Sequence, residues 1–155
     1  MNTHRFRLPW RWGRHAAVGS TPSAVRHRTV SLPVGPNAVA QARETVTEAL
    51  STAGVPARSA FADTAVLVVS ELVTNVLRHA TRSPVMDVGT ALDAGQLVIT
   101  VVDTDPRLPD LTPDDPGAGL RMVAELAGTY GGDVSAEPAH GHDGKVVRVR
   151  FRIPS

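Results

Sequence analysis

Residues 70–80 read SELVTNVLRHA, and the fold is decided around them. A continuous apolar run, residues 65–69, comes directly before this stretch, and apolar residues recur within it at the spacing of a helix. Together they predict a helix over residues 59–80. Because its centre is almost entirely apolar, we expect this helix to be buried on most sides.

A polar pair interrupts the apolar helix. Glu71 and Asn75 lie four residues apart, with His79 four further on, so all three share one face. Burying a carboxylate and an amide is costly unless a partner satisfies them. One interpretation is a polar stripe at the edge of a core helix, satisfied by solvent or by Arg78 and Arg82. The other is a magnesium-phosphate site, in which Asn75 offers oxygen to a hard cation and Glu71 orients or deprotonates a nucleophile.

The rest of the chain alternates between helical and strand-like segments. Asn37 is placed to cap a first helix. The predicted elements are a strand at 29–33, helices at 38–53 and 59–80, strands at 85–92 and 97–102 around a turn at 93–95, a loop at 103–118, a helix at 119–127, and strands at 130–137 and 145–153. This order predicts a two-layer α/β (α+β) sandwich, with helices on one face of a mixed, mostly antiparallel sheet.

Three further positions are candidates on weaker grounds. Asp103 ends an apolar strand, where it is placed to accept a hydrogen bond from a ligand such as an adenine amine, although a turn-forming Asp is commoner. Gly117 and Gly119 open the third helix, where backbone N–H groups can approach an anion; plain loop glycines are the alternative. Lys145 is the only Lys, and we expect it to be a solvated turn residue.

Composition bounds the function classes. The chain has 155 residues, a one-domain length, and no Cys, which excludes disulfides and thiolate zinc sites. No apolar run approaches the roughly 20 residues of a membrane helix, so we expect no membrane span and a cytoplasmic protein. Residues 1–28 carry six Arg and no acidic residue, whereas residues 29–155 carry 10 basic and 15 acidic groups. We expect a disordered basic tail over 1–28, or alternatively an electrostatic arm, before a single domain over 29–155.

Four motifs in fixed order resemble the GHKL ATPase superfamily, and within it the anti-sigma factor serine/threonine kinases and their actinobacterial relatives. They are SELVTNVLRHA at 70–80, VVDTDP at 101–106, GAGLRMVAELA at 117–127 and GKVVRVRF at 144–151. The resemblance covers about residues 29–153. It implies a Bergerat ATP-binding fold with ATP and Mg²⁺ as cofactors.

The resemblance also implies a role for each motif residue. Asn75 would coordinate Mg²⁺, Glu71 would be the catalytic base, and Asp103 would bind the adenine amino group. Gly117 and Gly119 would contact phosphate through their backbone. Two further residues are nucleotide-binding candidates because they lie next to these motif positions: His79, four residues after Asn75, and Leu120, which follows Gly119.

The loop over residues 104–118 would be the ATP lid in this family. Its first glycine box often reads D-x-G-x-G, whereas here Asp103 is followed by T-D-P-R. The substrate in such kinases is a serine or threonine of an anti-anti-sigma (STAS-type) partner, and the protein can also sequester a sigma factor. Homodimers are common among them.

Three functions are therefore open at this point. The first is a protein serine/threonine kinase using Mg²⁺-ATP. The second is a binding module in which ATP gates partner docking with little or no turnover. The third, a nucleic-acid binder acting through the basic tail, is disfavoured by the acidic body.

Overall fold

The computed structural model describes residues 26–80, 83–105 and 118–155. Five strands and three helices make up this part of the chain. In order they are β1 (Arg26–Pro33), α1 (Ala38–Thr52), α2 (Ala60–His79), β2 (Val85–Asp93), β3 (Gln96–Asp103), α3 (Ala118–Thr129), β4 (Asp133–Pro138) and β5 (Lys145–Arg152). β1 begins at Arg26, three residues before the predicted start of the domain. The rest of the predicted tail lies outside the described residues.

The five strands form one sheet in the order β1-β2-β3-β5-β4. All four pairings between described strands are antiparallel. We expected a mixed, mostly antiparallel sheet, and no parallel pair occurs among these strands. β5 enters between β3 and β4, so the last hairpin adds two strands beside the central one. The β2–β3 hairpin turns at Ala94 and Gly95, whose φ angles of 47° and 76° are left-handed. This is the two-residue turn that suits a twisted hairpin, at the predicted place.

Helix α2 begins and ends close to its predicted limits. Ser59 is its N-cap, and the Ser59 hydroxyl accepts a hydrogen bond from the Ala62 N–H at 3.1 Å. Asn37 occupies the N-cap position of α1, as predicted. The predicted capping interaction was wrong, because the Asn37 side chain makes no capping hydrogen bond. α1 ends at Thr52, and Gly54, two residues further on, has a φ of 73° that lets the chain leave the helix.

The turn before β4 replaces what we predicted as the start of a strand at Tyr130. Tyr130 and Gly132 both donate backbone hydrogen bonds to the Ala127 carbonyl, at 3.1 and 2.8 Å, and Gly131 has a φ of 65°. A Cβ on Gly132 would overlap the carbonyl oxygen of Arg150. The chain therefore needs a tight glycine turn here before it can pair with β5.

The core lies between the sheet and the helices, and α2 is central to it. Eight of its residues are buried, among them Phe61 at its first turn. The Phe61 ring meets the rings of Tyr130 and Phe151 edge-on, with centroids 5.0 and 5.9 Å apart. By length and composition alone α2 would also pass for a membrane helix. Its packing in the core accounts for that apolar character.

Phe61→Ala should remove both ring contacts and leave a cavity. We expect the free energy of unfolding to fall by about 3–5 kcal/mol, measured by urea denaturation. The matched control is Leu67→Ala on the same helix, where the side chain is 41% exposed and the expected change is within about 0.5 kcal/mol. Equal losses in the two variants would show that α2 is not packed as described.

Candidate functional site

The polar stripe of α2 lies at the border of its buried face. Glu71 and Asn75 are both half-buried, while Leu72 and Val76 beside them are buried in the core. His79, one turn further on, is exposed. The helix therefore brings Glu71 and Asn75 together, neither sealed in the core nor in open solvent, and carries His79 to its rim.

Asn75 has a buried polar atom without a hydrogen-bond partner among the described residues. This atom is its Nδ2. A buried unsatisfied amide costs free energy, so such an atom calls for an explanation. Because the oxygen and nitrogen of an amide exchange places by rotation, the same buried position can present an oxygen to a cation. The residue fits a bound group that supplies the missing partner.

Glu71 lies against the first turn of α3. A Cβ built on Gly119 would come 2.5 Å from Glu71 Oε2, which is closer than any normal contact. Gly119 therefore leaves room for the Glu71 carboxylate beside the backbone at the start of α3, where the N–H groups of a helix lack internal partners. Leu120 packs its side chain into the core, so only its backbone is available to a ligand. Gly117 lies outside the described residues.

Asp103 is buried at the end of β3 and paired with a cation. It is 2% exposed and lies directly opposite Lys145 in the β3–β5 ladder. Lys145 Nζ is 3.1 Å from Oδ1 and 3.0 Å from Oδ2 of Asp103. We expected Lys145 to be solvated, and this was wrong: it is 8% exposed, because strand alternation turns it to the same side as the buried Val147 and Val149.

The backbone after Asp103 is held by several contacts. The Asp105 N–H donates to Asp103 Oδ1 at 2.9 Å. Ser83 Oγ accepts hydrogen bonds from the N–H and the hydroxyl of Thr104, at 3.0 and 3.1 Å. A Cβ on Gly144 would overlap the carbonyl oxygen of Asp103, so β5 approaches the end of β3 closely here. The Asp103 carboxylate is therefore a fixed group. The rest of the predicted lid, residues 106–117, lies outside the described residues.

Sequence reasoning missed the contributions of Lys145 and Ser83. Lys145 gave one signal, as the only Lys at the start of a strand, but its pairing depends on a register between strands 42 residues apart in sequence. Ser83 gave no signal that separates it from an ordinary turn serine.

A groove of about 220 Å³ lies on the opposite face of the sheet. Gly89, Thr100 and Arg148 are among the residues that line it. None of the predicted site residues does, so this groove is separate from the site built on α2, α3 and the end of β3.

The donor set for a metal is small. Within the described ranges, no three His, Cys, Asp or Glu side chains cluster so as to hold a metal ion. A cation bound at Asn75 would therefore have few protein ligands. That is how Mg²⁺ is commonly held when substrate phosphates complete its octahedral shell. The described residues fit Mg²⁺ carried in with a nucleotide.

Comparison with known proteins agrees with this geometry. Residues 32–151 match the family model described as the histidine kinase-like ATPase domain. The chain belongs to this family. Membership in this family implies that the domain binds ATP. No relative with a curated function matches the sequence.

Two solved structures share the fold. The histidine kinase domain of the blue-light activated histidine kinase from Erythrobacter litoralis EL346 is 23% identical, with a TM-score of 0.51. A second structure of that histidine kinase is 21% identical, with a TM-score of 0.54. Each comparison covers 79% of this chain, but only 62% and 46% of the respective neighbour. The likeness supports the two-layer fold of the ATPase domain and extends no further.

Gly119→Ala should displace Glu71 without harming the fold. Since non-bonded heavy atoms settle at about 3.5 Å, the Glu71 carboxylate has to retreat by about 1 Å. Ala is favoured over Gly in a helix by about 0.5–1 kcal/mol, so thermal stability should be unchanged or slightly higher. Crystal structures and thermal unfolding of the variant would measure both effects.

The control for this variant is Gly128→Ala in the same helix. A Cβ there meets nothing within 4 Å, so Glu71 should keep its place. If the Glu71 carboxylate stood in the same position in both variants, the contact between α2 and the start of α3 would be wrong.

Proposed function

We propose that this domain binds Mg²⁺-ATP between α2 and the start of α3 and is a serine/threonine protein kinase. Its substrate is a hydroxyl of an anti-anti-sigma (STAS-type) partner, and it works in the cytoplasm as an anti-sigma regulator. One observation carries the proposal: among the described residues, the buried Nδ2 of Asn75 lacks a hydrogen-bond partner, one turn from Glu71. The motif resemblance supports the finer assignment to this kinase class.

At the phosphate end, Asn75 binds the cation and Glu71 acts as the general base. Bound Mg²⁺ supplies positive charge to the phosphate oxygens. The Glu71 carboxylate accepts the proton of the substrate hydroxyl. At the same time the hydroxyl oxygen bonds to the γ-phosphorus, and the bond from the γ-phosphorus to the leaving ADP breaks. Gly119 lets Glu71 sit beside backbone N–H groups of α3, which are placed to donate to phosphate oxygens.

At the base end, Asp103 accepts a hydrogen bond from the exocyclic amine of adenine. Its burial, at 2% exposure, keeps bulk water from competing for that contact. Its hydrogen bond from the Asp105 N–H keeps the carboxylate in one orientation. The two ends of the nucleotide thus contact different elements of the fold.

The alternative is a non-catalytic, ATP-gated binding module that sequesters a sigma factor or the STAS-type partner. One feature favours it: no glycine follows Asp103 through residue 107, where the family's first glycine box often has two. Thr104 is also held to Ser83 by two hydrogen bonds. A site with less backbone freedom can hold ATP and signal its presence without rapid transfer.

Asn75→Ala should weaken Mg²⁺-ATP binding at least about tenfold, a loss of about 1.4 kcal/mol, because the cation loses its protein ligand. Isothermal titration calorimetry measures this directly. The matched control is Thr74→Ala: the Thr74 hydroxyl is already bonded to the Ser70 carbonyl at 2.7 Å, so affinity should not change. An Asn75→Ala variant that binds Mg²⁺-ATP like wild type would remove Asn75 from the site.

Glu71→Gln separates the two functions. If the domain is a kinase, labelled ATP should yield phosphoserine or phosphothreonine on a STAS-type partner, and the variant should slow this transfer by about 10²–10⁴-fold. Nucleotide binding should survive, since Gln keeps the shape of Glu. If wild type transfers nothing, while ATP changes partner affinity equally in wild type and variant, the gated module is the correct function.

A further inference from the structure

Lys145 is a buried cation whose ammonium group contacts both Asp103 and the backbone of Asp105. Its Nζ donates hydrogen bonds to Asp103 Oδ1 at 3.1 Å and to the Asp105 carbonyl at 3.3 Å, and it lies 3.0 Å from Asp103 Oδ2 in the ion pair. Cross-strand register places it directly opposite Asp103, on the side of the sheet that faces the helices. The carboxylate assigned to base recognition is therefore one half of an ion pair.

This pairing limits what the Asp103 carboxylate can still accept. A carboxylate has about four lone-pair sites. Among the described residues, Oδ1 accepts from the Asp105 N–H and from Lys145, and Oδ2 lies 3.0 Å from Lys145 Nζ in the same ion pair. Oδ2 is therefore the oxygen left for an incoming N–H donor, and the positive charge about 3 Å away weakens it as an acceptor.

The ammonium also changes which base edges the pair can bind. A lone buried carboxylate accepts from the amino group of adenine and repels the carbonyl oxygen that an oxo purine carries at the same place. Lys145 can give that oxygen a donor by exchanging its longest bond, the one to the Asp105 carbonyl. An acceptor and a donor side by side suit both kinds of purine edge.

We propose that Lys145 is a specificity-determining residue of the base pocket, which lowers the preference for an amino purine that Asp103 alone would impose. The inference rests on the proposed function, because it requires a nucleotide base to reach Asp103. It concerns the base end of the site only. The roles of Glu71 and Asn75 are independent of it.

The test compares ATP with inosine triphosphate (ITP), which has an oxygen in place of the amino group. Calorimetry with Mg²⁺ on the full chain gives the ratio of the two affinities, and a general loss of stability cancels in that ratio. In wild type we expect ATP to be favoured by about tenfold or less. In Lys145→Met the ratio should rise at least a further tenfold, because sites that hydrogen-bond a substrate N–H strongly reject analogues that lack it.

Two variants control the comparison. Arg148→Met removes a cation from the same strand, but on the opposite face of the sheet, and should leave the ratio at its wild-type value. The double variant Lys145→Met with Asp103→Asn should bring the ratio back to about one, since an amide offers both a donor and an acceptor.

Each result decides the question. A ratio that is the same in Lys145→Met and wild type overturns the proposal. If Lys145→Met does not fold, the wild-type ratio decides: a value above about tenfold overturns the proposal, and a lower one supports it. Wild type that binds neither nucleotide would instead refute the proposed function.

Discussion

Helix α2 has to bury one face completely and still hold two polar side chains at the edge of that face. The helical repeat makes this possible, because residues four apart stack while the residues between them turn toward the core. Leu72 and Val76 are buried, and Glu71 and Asn75, each one position before them, stay half-buried. The rigid packing of the buried face fixes the polar pair. Any slip of α2 against the core would move the site with it.

Elements set by short-range signals were predicted well. The limits of α2 and the turn at residues 93–95 follow from residues a few positions apart, and the structure confirms them. The turn at Tyr130 was mistaken for the start of the strand that follows it. What fixes the turn is the close approach of Gly132 to the Arg150 carbonyl, a contact with a distant strand. Asn37 had the right residue type and place for a cap, yet its side chain does not cap.

Long-range register accounts for most of what sequence could not supply. Glu71 and Asn75 were identifiable because one helix brings them together. The neighbour of Asp103 was not, because Lys145 is brought there by a ladder between β3 and β5, and β5 enters the sheet out of chain order. A one-residue slip in that ladder would turn Lys145 to the other face. Gly144 helps to fix this register, because a residue with a Cβ at its place would overlap the Asp103 carbonyl oxygen.

The two ends of the site therefore depend on different physics. At the proposed phosphate end, the Nδ2 of Asn75, unpartnered among the described residues, and the Glu71 carboxylate beside the start of α3 are polar groups that a ligand can still contact. At the base end, the charges already satisfy each other, and leaving either without its partner would cost about 3–5 kcal/mol. A ligand at the base end has to hydrogen-bond to groups that already form an ion pair. At the phosphate end, a ligand would contact a polar group that has no partner in the described part of the chain. Nucleotide affinity should thus come mainly from the phosphates, and the pair formed by Asp103 and Lys145, rather than Asp103 alone, should decide which base is accepted.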